Sequence, residues 1–155
     1  MAKPRNKKTL PDWRTACRQL AQKQATAEAR RLWKAGGVKT IPFNHRWEHI
    51  QRVVALALRL AAQTGADLEI VEAAGWLHDI RKGTPSHGQT GAREARRILA
   101  RTNFPAEKIP AVADAIAQHV GLYRPQDAPP LQPIEAAVLW DADKLTKLGV
   151  EALAY

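Results

Sequence analysis

The stretch Trp76-Leu77-His78-Asp79-Ile80-Arg81-Lys82-Gly83 decides how the rest of this chain is read. It closes an apolar helical run with two adjacent polar side chains, and Gly83 is a natural stop. Folding alone rarely calls for a His-Asp pair after an apolar run, because such groups must find partners once buried. Four of the five histidines fall in order with two aspartates: His49, His78-Asp79, His87, His119 and Asp143. Imidazole and carboxylate form a mixed N/O ligand set, suited to one or two divalent ions drawn from Fe, Mn, Zn, Ni, Co or Mg.

The periodicity around this series is helical throughout. Thr9 to about Ala35 reads as a helix with Pro11 in its first turn, a sparse apolar stripe of Trp13, Cys17, Leu20 and Leu32, and a stop at Gly36-Gly37. His45 to Thr64 is a strongly amphipathic helix ending at Gly65, with Trp47, Ile50, Val53, Ala57 and Ala61 at helical spacing. Asp67 caps a third helix to about Lys82, and Ser86 a fourth to about Arg101. Pro105 starts a fifth, to about Val120. Four prolines between Pro125 and Pro133 make an extended loop, and a sixth helix runs from there to Gly149. No alternating run argues for a sheet. The expected fold is all-α, a bundle of about six helices.

The 155 residues suit one domain with a real core, here residues 9–155 after a basic flexible tail at 1–8. The lone Cys17 forbids an internal disulfide and reads as a small buried hydrophobe. No stretch approaches the roughly 18 apolar residues of a membrane span, and the basic start lacks the apolar region of a signal peptide. Cytoplasmic residence is the expectation. The net charge of +9 is uneven: eleven of the 24 Lys and Arg lie in residues 1–40 beside only Asp12 and Glu28, so residues 41–155 are neutral. Such a segment suits nucleic acid or an anionic surface, or else a solvated tail and the outer face of a helix. No basic run interleaved with aromatics, of the kind that stacks bases, is present.

The residue types point to hydrolysis. A divalent ion lowers the pKa of bound water and offsets the charge of a phosphate ester, and two ions about 3.5–4 Å apart stabilise both the attacking and the leaving oxygen. Asp79 can lie between two ions. Lys82, one turn on, can offer its ammonium to a phosphate. Taken singly, each residue has a plainer reading: His49 as a core-edge histidine, His119 as a cation at a helix end, His87 as a surface turn residue, Asp143 as a partner of Lys144 or Lys147. Chance explains the ordered set poorly.

Three segments carry a family likeness: Asn44-His45-Arg46-Trp47-Glu48-His49-Ile50-Gln51-Arg52-Val53, Leu77-His78-Asp79-Ile80-Arg81-Lys82, and Ala142-Asp143-Lys144-Leu145. Together, over about residues 44–149, they resemble the HD-domain superfamily of metal-dependent phosphohydrolases. The resemblance implies that His49, His78, Asp79 and Asp143 bind a first metal. The segments Ser86 to Ala92 and Ala115 to His119 are similar to the extra histidine elements of the binuclear branch, which includes symmetrical diadenosine-tetraphosphate hydrolases and cyclic-dinucleotide phosphodiesterases. On that likeness His87 and His119 hold a second metal, Asp79 bridges, and Lys82 steadies the phosphate. Two departures stand out. The glycine-tyrosine-proline element of the cyclic-dinucleotide enzymes is only loosely echoed by Gly121 to Pro125, and the stretch after Asp143 differs from that of the tetraphosphate hydrolases. Asp141 rivals Asp143, which is favoured because other branches keep an aspartate two residues before the leucine. The expected activity is cleavage of a phosphate ester or anhydride of a nucleotide or related small molecule. The alternatives are a nucleic-acid or nucleotide binding module on the same scaffold, using the basic N-terminal segment, and a metal that only ties helices together.

Overall fold

Capping chemistry sets where the helices begin. In a computed structural model of the chain, which describes residues 9–148, the Asp12 carboxylate accepts from the Thr15 amide and starts α1, Trp13–Ala35. The helix therefore begins four residues after the expected Thr9, and Pro11 precedes it and does not lie in its first turn. Asn44 accepts from the Trp47 amide and starts α2, His45–Thr64, which ends at Gly65. Asp67 accepts from two amides at the head of α3, Leu68–Leu77. Three further helices follow: α4, His87–Leu99; α5, Ile109–Gln118, entered through a 3-10 turn at Ala106–Lys108; and α6, Ile134–Leu145. No strand occurs among the described residues, and the fold is all-α. The expected tail at 1–8 lies outside the described residues, and the last helix stops at Leu145, short of the expected Gly149, where the chain passes into turns with the Lys147 amide on the Lys144 carbonyl.

Helices α3 and α6 pack against each other and each against both α2 and α5, α1 covers the α2–α3 side, and α4 lies along α5. Val53, Val71, Leu77, Leu99, Val112, Ile116 and Leu139 are fully buried between them. Each contributes about 1.5–3 kcal/mol through removal of apolar surface from water. The buried face of α1 is Trp13, Cys17, Ala21, Ala25 and Ala29 at four-residue spacing, and after the large Trp13 these residues are small and let the helix lie close to α2 and α3. Leu32 is not part of that stripe. It is 61% exposed, because the last turns of α1 run past the edge of the bundle.

Helix α4 starts at the position expected from Ser86, but not by the expected means. Ser86 adopts a left-handed conformation (φ 52°) and its side chain makes no capping bond. What fixes α4 is close approach: a Cβ on Gly88 would meet the Ala117 carbonyl oxygen and Val120 Cγ1, each at 2.9 Å. Gly88→Ala must therefore push α4 off α5, at a cost of about 1–3 kcal/mol. We predict a fall of roughly 2–4 °C in Tm per kcal/mol lost, read from a thermal melt. Gly36→Ala, whose Cβ would meet nothing closer than 3.5 Å, serves as the neutral control.

Candidate metal centre

The side chains of the centre come from α2, α4, α6 and the residues that follow α3 and α5. Helix α2 presents His49 one turn before Val53, so it follows the buried face inward. Helix α3 ends at Leu77, five residues earlier than its pattern suggests. From there the chain crosses the bundle end in tight turns, with the Ile80 amide on the Leu77 carbonyl and the Lys82 amide on the Asp79 carbonyl. Freed from a regular helix surface, the adjacent His78 and Asp79 both sit buried in the interior. His87 is the first residue of α4, His119 ends α5, and Asp143 lies on α6. Asp143 is 2% exposed and in the centre, whereas its rival Asp141 faces solvent. His45 pairs at 3.6 Å with Glu48 at the head of α2, outside the cluster.

All six expected side chains converge. Three ring pairs, His49–His78, His78–His119 and His87–His119, have centroids 5.6, 5.2 and 5.2 Å apart. Asp143 Oδ1 lies 3.0 Å from His49 Nε2 and 3.9 Å from His78 Nε2. Asp79 Oδ2 is 3.6 Å from His78 Nε2, and its Oδ1 is 3.4 Å from His119 Nε2. Two ligand sets, His49 with His78 and Asp79, and Asp79 with His87 and His119, each hold their donor atoms within 4.8 Å of one another. They share Asp79.

The protons decide what this cluster can hold. His78 Nδ1 donates to the Gly75 carbonyl at 2.8 Å and His119 Nδ1 to the Ile116 carbonyl at 2.6 Å. A carbonyl can only accept, so in each neutral ring the Nε2 carries a lone pair. Both lone pairs face carboxylate oxygens, and His78 Nε2, His119 Nε2, Asp79 Oδ1 and Asp143 Oδ1 make no directed hydrogen bond despite being buried. Lone pairs and anionic oxygens repel unless a cation lies among them. Backbone carbonyls fixing the outer nitrogen of a ligand histidine are a recurrent feature of metal sites. The residues therefore fit a divalent ion.

The same environment shifts the titrations. Burial pushes His78 down to about 4 against the pull of Asp79 and Asp143, so the ring is neutral near pH 7. Burial also works against the Asp79 charge, but the positive charge around it, Lys82 included, outweighs it and holds that carboxyl well below the usual range. Asp143 is likewise held low despite its burial, by its contacts with His49 and Lys144. Lys82 Nζ lies 3.5 Å from Asp79 Oδ1, and Lys147 Nζ 3.1 Å from Asp143 Oδ1.

Sequence reasoning missed Arg46 and Glu28. The Arg46 guanidinium forks onto both Glu28 oxygens at 3.0 and 3.1 Å and donates to Asp79 Oδ2 at 3.1 Å. The signal was in plain view, since Arg46 stands within the motif around His49, but nothing local pairs it with a residue eighteen places earlier. Lys144 and Lys147 were read only as companions of a solvated aspartate. In the fold they are half-buried ion-pair partners of a buried Asp143.

With this geometry in hand, the comparisons give the class. The HD domain model matches residues 46–148, and the chain belongs to that family. Among solved structures, a predicted HD superfamily hydrolase from an uncultured Thermotogales bacterium is similar in fold, with TM-score 0.68 and 23% identity over 93% of this chain and 73% of that one. No curated protein matches the sequence. Among the described residues no helix is long and apolar enough to cross a membrane.

One prediction follows from the lowered His78. In metal-free protein, stability is greatest above its ordinary value of 6.5 and falls as pH drops toward 4, because the unfolded imidazole takes a proton that the buried one refuses. The slope is about 1.4 kcal/mol per pH unit for this single group. His78→Asn keeps a donor for the Gly75 carbonyl but cannot titrate. Melts in chelator between pH 7 and 4 should show a flatter decline for that variant; parallel curves would contradict the assignment.

Proposed function

We propose that the chain is a metal-dependent phosphohydrolase that cleaves a phosphate ester or anhydride of a nucleotide or related small molecule. The observation that carries the reading is the convergence of bare Nε2 lone pairs and two ionised carboxylates under a rim of lysines. His49, His78, Asp79 and Asp143 would hold one divalent ion; His87 and His119, with Asp79 shared, a second. When bound, such ions supply a water of lowered pKa and offset the charge that develops on phosphoryl oxygens.

The chain's own residues do the rest. Arg46, held by Glu28, fixes the plane of the Asp79 carboxylate. The carbonyls of Gly75 and Ile116 lock the His78 and His119 rings so that they present lone pairs rather than protons. Lys82, Lys144 and Lys147 line the open side of the centre together with His87 and His119. Their ammonium groups can take a phosphate oxygen each as point charges. Burial keeps bulk water from competing for the carboxylates. Kinship with a predicted hydrolase of the same fold supports hydrolysis, and the lysine rim supports a phosphorylated substrate.

The test is turnover of a panel of phosphomonoesters, phosphodiesters and nucleotides by protein loaded in turn with Mn, Fe, Co, Ni, Zn and Mg. Asp79→Ala should lower both bound metal and activity to background. Lys82→Ala should retain metal and lose about 10–100-fold in kcat/KM, the worth of one charged hydrogen bond. Full activity in Asp79→Ala, or inertness of every loaded form, would contradict the proposal.

A further inference from the structure

Beside the centre runs a cleft of about 580 Å³ whose two ends differ in chemistry. At the inner end stand His49, Lys82 and Lys147, beside the Arg46–Glu28 ion pair in which the acid is already neutralised. At the outer end stand Leu32, Trp33 and Phe43, with His45 between. The outer wall is ordered, not incidental. Trp33 Nε1 donates to the Phe43 carbonyl at 3.1 Å, the Trp33 and Phe43 rings meet edge to face at 5.1 Å, and Phe43 lies 4.4 Å from the His45 ring. Yet Leu32 is 61% and Phe43 46% exposed, so this apolar surface serves no core. A fixed apolar wall left in water next to a polar site is what an organic ligand covers.

Resting on the phosphohydrolase reading, we infer that the substrate is an organic phosphate whose non-phosphate part is apolar and ring-bearing, and that this part lies against Leu32, Trp33 and Phe43. Charge complementarity sets the direction. The phosphate meets Lys82 and Lys147 at the inner end, and the ring body extends outward along the aromatic wall, where stacking and burial reward it. A small polar phosphate would engage the lysines and leave the wall wet. The wall comes from α1 and the segment leading into α2, residues that precede the region matched by the HD domain model. The metal centre and the determinant of substrate shape thus come from separate parts of the chain.

Phosphonates test this without turnover, since their carbon–phosphorus bond is not a phosphoester. Phenylphosphonate and methylphosphonate are titrated by calorimetry into the full chain loaded in turn with Mn, Fe, Co, Ni, Zn and Mg. The expected result is about tenfold tighter binding of the phenyl compound, the scale of one ring contact with its burial. Leu32→Ser and Phe43→Ser should each shrink that ratio toward one and leave methylphosphonate binding unchanged. Both side chains are exposed, and thermal melts verify that the variants fold. Equal affinities in the parent protein, binding of neither compound, or a preference that survives both substitutions would overturn the inference. Hydrolysis without any ring preference sinks the cleft assignment alone; a ring preference without any hydrolysis sinks the enzymatic reading alone.

Discussion

Two ionised carboxylates enclosed at the end of a helical bundle are the constraint on which the remaining structure depends. Withdrawing a carboxylate from water costs several kcal/mol even after the protein relaxes, and only charge or directed hydrogen bonds offset that cost. Here the offsets come from basic side chains. Arg46 and Lys82 reach Asp79, and Lys144 and Lys147 reach Asp143. Facing the carboxylates as well are the Nε2 atoms of His78 and His119, whose ring protons are committed to backbone carbonyls. A fold seeking only stability would turn those rings over, or place apolar residues there. Locking the lone pairs inward makes sense for a centre that receives cations.

This explains features that look unrelated in the chain. Gly88 allows α4 to approach α5 closely enough to bring His87 beside His119. The early end of α3 gives His78 and Asp79 a shared interior. Helix α1 precedes the matched family region, yet it is tied to the centre through Glu28 and Arg46. Its alanine stripe sets it against α2 and α3, and its last turns form one wall of the adjoining cleft. The N-terminal helix is therefore part of the working unit, and some of its charge is structural: Glu28 is engaged by Arg46, and Arg14 pairs with Glu72 at 2.9 Å.

Much of this was legible in the residues themselves. Helical periodicity gave α2 its start and the cap at Asp67 that of α3, and the ordered histidine–aspartate series named all six side chains that converge. The misses have physical causes. Periodicity continued through His78 to Lys82, so the tight turns there were invisible; carbonyl-bonded turns leave no mark on an apolar pattern. Leu32 matched the stripe of α1, but a pattern cannot say where a helix outruns its bundle. Ser86 has the composition of a cap without the backbone conformation of one. Glu28 and Arg46 pair across a helix–helix contact, which no local reading supplies.

The account stands or falls on whether cations sit among those lone pairs. Anomalous scattering from crystals of the metal-loaded protein, collected on both sides of the absorption edge, addresses this directly. The account predicts a peak bounded by His78 Nε2, Asp79 and Asp143, with a second beside His119 and His87 if Asp79 is shared. An ordered centre without any peak, in which protonated imidazoles hydrogen bond straight to both carboxylates, would contradict it.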